Sequence, residues 1–245
     1  MICAVRVAIC LPTYNEHENL EPMVTALGEV IAASGLDATV LVIDDASPDG
    51  TGEVADRLAN RLDWVDVLHR PVKEGLGPAY LAGFRRVLAG EAELVLEIDC
   101  DFSHEPADVP RLVAAIRGAD LVIGSRYVAG GGTRNWGPIR RAVSRGGSLY
   151  ARLVLGVPIC DLTSGFKCFR RQVLETIDLD GVDTKGYAFQ IETTYRALRA
   201  GFRVAEVPIT FTDRETGSSK MTRGIVLEAI TKVPALRLAA ARRHL

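Results

Sequence analysis

Cysteine is too sparse and too scattered to build anything covalent. The five thiols (Cys3, Cys10, Cys100, Cys160, Cys168) are odd in number, with no C-x-x-C pair and no zinc-like spacing, which argues against a disulfide framework or a cysteine metal cluster. Reduced, cytosolic thiols are expected. No apolar stretch approaches the roughly 20 residues needed to span a bilayer. The apolar start, Met1 to Pro12, carries Arg6 in its middle and lacks the basic flank and cleavage pattern of a signal peptide. The chain therefore reads as soluble or lying on a membrane. The first βα turn has no G-x-G-x-x-G, and G-x-x-x-x-G-K-[ST] occurs nowhere. Any phosphate must then be held by side chains and a metal, without a glycine cradle. Lysine is also scarce, five against 24 arginines.

A formal net charge of -2 implies no polyanion and no nucleic-acid partner, but the charge is unevenly spread. Between Leu121 and Cys160 lie six arginines (Arg126, Arg134, Arg140, Arg141, Arg145, Arg152) and no acidic residue. That one segment is placed to meet something anionic.

At 245 residues, nearly half hydrophobic, the chain can bury one substantial core. VRVAICLP, ATVLVIDD, WVDVLHR, ELVLEID and DLVIGSR read as short buried strands, and a helical pattern follows each of the first four. Such alternation predicts an α/β fold, a mostly parallel sheet with helices on both faces. Ser47-Pro48-Asp49-Gly50 marks a turn, and Glu105-Pro106 opens a helix. After about residue 125 the alternation fails: an Arg-studded helix, the segment SGFKCFRR and a helix from about Tyr187 follow. One domain over 1–220 and an amphipathic helical tail over 221–245 are expected.

Ligands of an open parallel sheet bind at the carboxyl ends of its strands. The first strand ends in Pro12-Thr13-Tyr14-Asn15-Glu16, the second in Asp44-Asp45, the fourth in Asp99-Cys100-Asp101, the fifth in Ser125-Arg126. Residues two apart on an extended chain face the same way, so Asp99 and Asp101 can present two carboxylates to one site. Two like charges that close call for a cation. Hard oxygens suit Mg²⁺ or Mn²⁺, which complete their shell with water and substrate phosphate. A lone aspartate at a strand end is more often a loop or helix cap; a D-x-D after an apolar strand favours a metal-diphosphate site.

Seven segments in order, LPTYNEHENL, VIDDASPDGT, GLGPAY, EIDCDFSH, VIGSRYVAGG, DLTSGFKCF and DRETGSSK, resemble the dolichol-phosphate (polyprenol-phosphate) mannose synthases, family 2 glycosyltransferases of GT-A fold. The resemblance runs from about residue 7 to residue 222. It implies inverting transfer of mannose from GDP-mannose to a polyprenyl monophosphate. Matched motif by motif, it implies that Pro12, Tyr14, Glu16, Ile43 and Asp45 line the nucleoside pocket. Asp99 and Asp101 hold the metal, and with the Cys100 backbone the nucleotide. Ser103 stands where some members supply a Gln ligand; a hydroxyl is a poorer ligand than an amide oxygen. Arg126, Arg140, Arg214 and Lys220 contact the donor diphosphate or the acceptor phosphate, with Asp101, Arg126, Arg214 and Lys220 the residues closest to the chemistry.

The chemistry agrees with those roles. A nucleoside-diphosphate leaving group develops negative charge that metal and cations must stabilise. The acceptor phosphate is already ionised at neutral pH, so no general base is demanded. His104 is therefore expected to be a local hydrogen-bonding residue of the metal loop, Arg134 and Arg152 to be solvated, and Glu16 to serve equally as helix N-terminal charge.

From Pro138 to Val157, Ile139, Val143, Gly147, Tyr150, Val154 and Val157 follow helical spacing, with Arg141, Arg145, Ser148 and Arg152 opposite. With Trp136 as an aromatic anchor, this helix is expected to lie at an anionic membrane surface, the alternative being ordinary core. The tail from Met221 is the second candidate. The expected location is peripheral, at a cytoplasmic membrane face, directly or through a membrane-protein partner. Three other readings stay open: a UDP-glucose or other UDP-sugar transferase to polyprenyl phosphate, a non-catalytic nucleotide-binding module, and a nucleotidyltransferase. A processive polysaccharide synthase is disfavoured by the absence of Q-x-x-R-W.

Overall fold

Runs of Val, Ile and Leu that are apolar on both sides form strands buried on both faces. In the computed structural model, which describes residues 5–182, 184, 186–213 and 231–239, the first of these is β1 (Arg6–Thr13). Helix α1 (His17–Ser34) returns the chain to β2 (Asp37–Asp44), α2 (Thr51–Arg61) to β3 (Val65–His69), and α3 (Leu76–Leu88) to β4 (Leu94–Glu97). A short 3₁₀ turn at Pro106–Asp108 leads into α4 (Val109–Ala115), and β5 (Leu121–Ser125) follows. These are the five strands and four helices expected from the alternation.

Beyond β5 the pattern changes. β6 (Gly132–Arg134) leads to α5 (Pro138–Leu155), then β7 (Lys167–Arg170), α6 (Arg171–Thr176), α7 (Gly186–Arg199), β8 (Val204–Pro208) and β9 (Thr210–Thr212). The main sheet has the order β3-β2-β1-β4-β7-β5-β8, and β6 pairs with β9 in a small parallel ribbon. SGFKCFRR supplies β7, which runs antiparallel between β4 and β5. No alternation announced that strand, because it enters the sheet without a crossover helix of its own.

Two apolar clusters cover the sheet. On one face α1, α2 and α4 bury Leu20, Met23, Val54, Leu58 and Leu112 against Ile9, Val42 and Leu96. On the other, α3, α5, α6 and α7 bury Tyr80, Phe84, Ala151, Leu174 and Phe189 against Leu41, Val95 and Phe169. Helix α3 rides close on its face: a Cβ at Gly83 would sit 2.4 Å from Ile43 Cδ1, so any larger residue there must displace the Ile43 side chain. The helix over 231–239 returns Val233 to the second cluster, and Arg237 Nη1 donates to the Val154 carbonyl. Part of the expected tail is therefore packed against the domain.

Helix α5 corrects the expected division of faces. Its buried residues are Ser148, Ala151 and Leu155, with Ser148 Oγ 3.2 Å from Thr163 Oγ1. Ile139, Val143, Leu149 and Leu153 point to solvent, Ile139 at 80% and Leu153 at 68% exposure. Ser148, assigned to the polar outer side, is inside; Ile139 and Val143, assigned to one stripe with Tyr150 and Val154, are outside. Periodicity locates a stripe but not which neighbour it meets. Trp136 is likewise no surface anchor, being 7% exposed and packed edge-on to Phe211, ring centroids 5.2 Å apart.

Candidate active site

The order β3-β2-β1-β4 places the reversal in strand order between the parallel strands β1 and β4, and their carboxyl ends open one crevice. Each loop there contains a non-glycine residue in the left-handed region: Asn15 after β1 (φ 55°), Ala46 after β2 (φ 59°) and Phe102 after β4 (φ 56°). Such conformations cost free energy and persist where the surroundings impose them, often at functional sites.

At the end of β4, Asp101 Oδ1 accepts the Ser103 backbone N–H at 3.0 Å across Phe102. Asp99 Oδ1 accepts the Tyr80 hydroxyl at 3.4 Å, and its Oδ2 lies 3.8 Å from His104 Nδ1. Asp99 keeps 29% of its side chain exposed, so a carboxylate of the pair faces the crevice. The Cys100 thiol is buried in the first cluster, leaving its backbone to the site. Ser103 is buried, donates its backbone N–H to Asp101 and accepts Thr212 N–H at 3.1 Å. Its visible task is to shape the loop.

His104 departs from the sequence expectation. Its Nδ1 makes no hydrogen bond among the described residues, and the ring packs between Phe166 and Phe211 at 5.2 and 5.1 Å. Burial drives its pKa down to about 4 against the opposing charge of Asp101, so at neutral pH it is an uncharged packing residue of the loop.

On the nucleoside side, Pro12 is buried and Glu16 stands at the N-cap of α1, its Oε2 accepting Asn19 Nδ2 at 2.8 Å. Asp45 is organised by the loop before α3: it accepts the backbone N–H of Glu74 and Gly75, the latter at 2.8 Å, and pairs with half-buried Arg70, which also holds Glu74. Lys73 Nζ sits 3.5 Å from the centre of the Tyr14 ring. Ile43 is different: its side chain is 0% exposed in the second cluster, and as it stands it supports the pocket floor from within the core.

The arginines come from β5 and α5. Arg126 is buried and gripped by Asp161: Nε donates to Oδ2 at 2.7 Å, Nη2 to Oδ1 at 2.6 Å, and the backbone N–H to Oδ2 at 2.9 Å. Nη2 also donates to Thr163 Oγ1 at 2.7 Å. Burial pushes Asp161 up, but the Arg126 charge and these hydrogen bonds outweigh it and hold the carboxyl below its usual range. Arg140 pairs with Asp213 and lies over the Trp136 ring, Cζ 4.5 Å from its centre. Arg134 and Arg152 are exposed, as expected. Arg214 and Lys220 lie outside the described residues.

Sequence reasoning assigned no role to Asp161, Arg70 or Lys73. Asp161 carried a signal: it is the first acidic residue after the acid-free, arginine-rich segment. Among the described residues no group of three or more His, Cys, Asp or Glu side chains is placed to hold a metal ion. The donor set suits an ion carried by one or two carboxylates and completed by substrate phosphate.

The sequence profile of glycosyl transferase family 2 matches residues 8–178. The chain belongs to that family. Among its family-2 relatives, an undecaprenyl-phosphate mannosyltransferase of Micrococcus luteus is 49% identical over 236 residues, 96% of each chain. A polyprenol monophosphomannose synthase of Mycolicibacterium smegmatis is 51% identical over 230 residues, covering 93% of this chain and 85% of that one. Among solved structures, the glucosyl-3-phosphoglycerate synthase of Mycobacterium tuberculosis, crystallised with Mn²⁺, UDP-glucose and phosphoglyceric acid, superposes with a TM-score of 0.66. At 21% identity over 96% of this chain and 79% of that one, it shows the shared GT-A fold of this family-2 chain.

Proposed function

We propose that this family-2 glycosyltransferase moves mannose from GDP-mannose to a polyprenyl monophosphate, using a divalent cation. What supports this most is identity of about half, over nearly all of both chains, with two relatives named for mannose transfer to polyprenyl phosphate. Asp99 and Asp101 would hold the ion, Mg²⁺ or Mn²⁺; bound there with the donor, it would supply positive charge where the diphosphate leaves. Ser103 presents Asp101 through its backbone. Tyr14, with Lys73 over its ring, Glu16 and Asp45 shape the nucleoside side, and Pro12 and Ile43 support it.

Arg126, preset by Asp161, and Arg140, with Arg214 and Lys220, compensate the charge of two phosphates brought together. The acceptor is a phosphate already ionised, so no side chain must take its proton.

The lipid acceptor requires access from a membrane surface. The exposed Ile139, Val143, Leu149 and Leu153 of α5, flanked by exposed Arg141, Arg145 and Arg152, form an apolar and basic face suited to an anionic bilayer. Among the described residues no helix is long and apolar enough to cross a membrane, which fits peripheral docking at the cytoplasmic face.

The test supplies purified protein with a polyprenyl phosphate, Mg²⁺ or Mn²⁺, and either labelled GDP-mannose or UDP-glucose. Mannolipid that disappears with EDTA and with Asp101→Ala is expected. Glucolipid in its place would overturn the donor assignment; pyrophosphate release would indicate nucleotidyl transfer.

A further inference from the structure

Alternation along β4 decides where its acidic side chains go. Leu96 and Ile98 turn into the first apolar cluster and Val95 into the second, so Glu97 and Asp99 belong to the face covered by α3 and α7. Glu97 is fully buried there, opposite Lys167 in the ladder, while Asp99 reaches the crevice. A polar layer therefore runs from the crevice into the core beneath one carboxylate of the D-x-D pair.

Gln190 of α7 enters that layer. Its backbone carbonyl accepts Lys167 Nζ at 2.8 Å, and its side chain is the polar neighbour of Glu97. It is 1% exposed, and among the described residues neither Oε1 nor Nε2 has a partner at full hydrogen-bond geometry. A buried amide left unpaired is costly. Nε2 carries two N–H groups, enough for two acceptors.

The second acceptor lies toward the crevice. A Cβ on Gly165 would stand 3.5 Å from Gln190 Nε2 and 3.5 Å from Asp99 Oδ2, so amide and carboxylate face one niche that a side chain at 165 would fill. The other Asp99 oxygen, Oδ1, takes the Tyr80 hydroxyl at 3.4 Å. A carboxylate held through both oxygens offers a cation one fixed orientation. We propose that Gln190 is a positioning residue of the cation site, its two N–H groups bridging Asp99 Oδ2 and Glu97 and so tying Asp99 to the buried Glu97–Lys167 pair. This rests on Asp99 being a cation ligand, as read above.

The test follows Mn²⁺ binding by the full chain through water-proton relaxation, with GDP present and no turnover required. Gln190→Met keeps the length and removes both N–H groups. Its Kd for Mn²⁺ should rise at least about tenfold, since groups that orient a metal ligand are worth about 10 to 100-fold in metal affinity. GDP binding in EDTA should stay within about twofold, and the urea midpoint should stay near that of the wild type. An unchanged Kd for Mn²⁺, or an equal loss of metal-free GDP binding, overturns the assignment. A wild-type chain that binds no Mn²⁺, or binds it as well after Asp99→Ala, overturns the metal reading and this assignment with it.

Gly165→Ala gives a second judgement that stands if Gln190→Met fails to fold. Gly165 is not in the left-handed region, and its added Cβ would meet both atoms at ordinary contact distance, so this variant should fold. By filling the shared niche it should also raise the Kd for Mn²⁺. The double variant should be no weaker than Gln190→Met, because both changes act on one contact. No effect of Gly165→Ala, or losses that add, overturns the assignment.

Discussion

Asp101 and Asp161 are both buried aspartates near the crevice, yet their surroundings assign them different work. Asp101 accepts the Ser103 backbone N–H of its own loop, while Asp161 takes three hydrogen bonds from Arg126. Asp101→Asn should lower mannolipid turnover by about 100-fold or more while the protein still unfolds cooperatively in urea, because the carboxylate proposed to hold the cation is lost. Asp161→Ala should do the reverse first: it strands a buried guanidinium, a loss of roughly 3 to 5 kcal/mol in the same unfolding measurement. Both aspartates were visible in the sequence, but only the D-x-D spacing carried meaning there. The partner of Asp161 lies 35 residues earlier, and no local pattern encodes that distance.

Elements β4 and β7 contain a pair that reports how the sheet is held. Glu97 and Lys167 are register partners in the antiparallel ladder and both are fully buried. Lys167 Nζ donates to the Gln190 carbonyl at 2.8 Å and to Thr193 Oγ1 at 3.2 Å, whereas among the described residues neither Glu97 oxygen has a partner at full hydrogen-bond geometry, the Gln190 side chain being its polar neighbour. Burial lowers the Lys167 pKa to about 8 despite the charges of Glu97 and Asp161. Between about pH 8 and 10.5 the unfolded chain then keeps a proton that folded Lys167 has released, so this group makes stability rise with pH across that window. Lys167→Leu alone should cost roughly 3 to 5 kcal/mol by leaving a buried carboxylate without its counter-charge. Glu97→Leu with Lys167→Leu should recover most of that loss and remove the Lys167 contribution to the slope between about pH 8 and 10.5, read from denaturant unfolding against the wild type. Gly83→Ala tests packing on the same face: its Cβ meets Ile43, and overpacking should cost about 1 to 3 kcal/mol.

For the whole molecule, the apolar side of α5, exposed among the described residues, is the face proposed to meet a bilayer. Replacing Leu149 and Leu153 by Ser should weaken sedimentation with anionic vesicles at any ionic strength. Replacing Arg141 and Arg145 by Gln should weaken it chiefly at low salt, since exposed charges are screened within about 10 Å at 0.1 M. Equal binding by all these proteins would move the contact elsewhere. The apolar runs by themselves determined β1 to β5, their crossover helices and the delivery of Asp99 and Asp101 to the crevice, because strand burial and turn chemistry are local. The motifs in order determined the family. Tertiary structure alone decided that β7 enters antiparallel between β4 and β5, that Trp136 is buried and Ile139 exposed, and that Asp161 holds Arg126. Each of those depends on which surfaces distant segments present to one another, and periodicity along one segment does not contain that information.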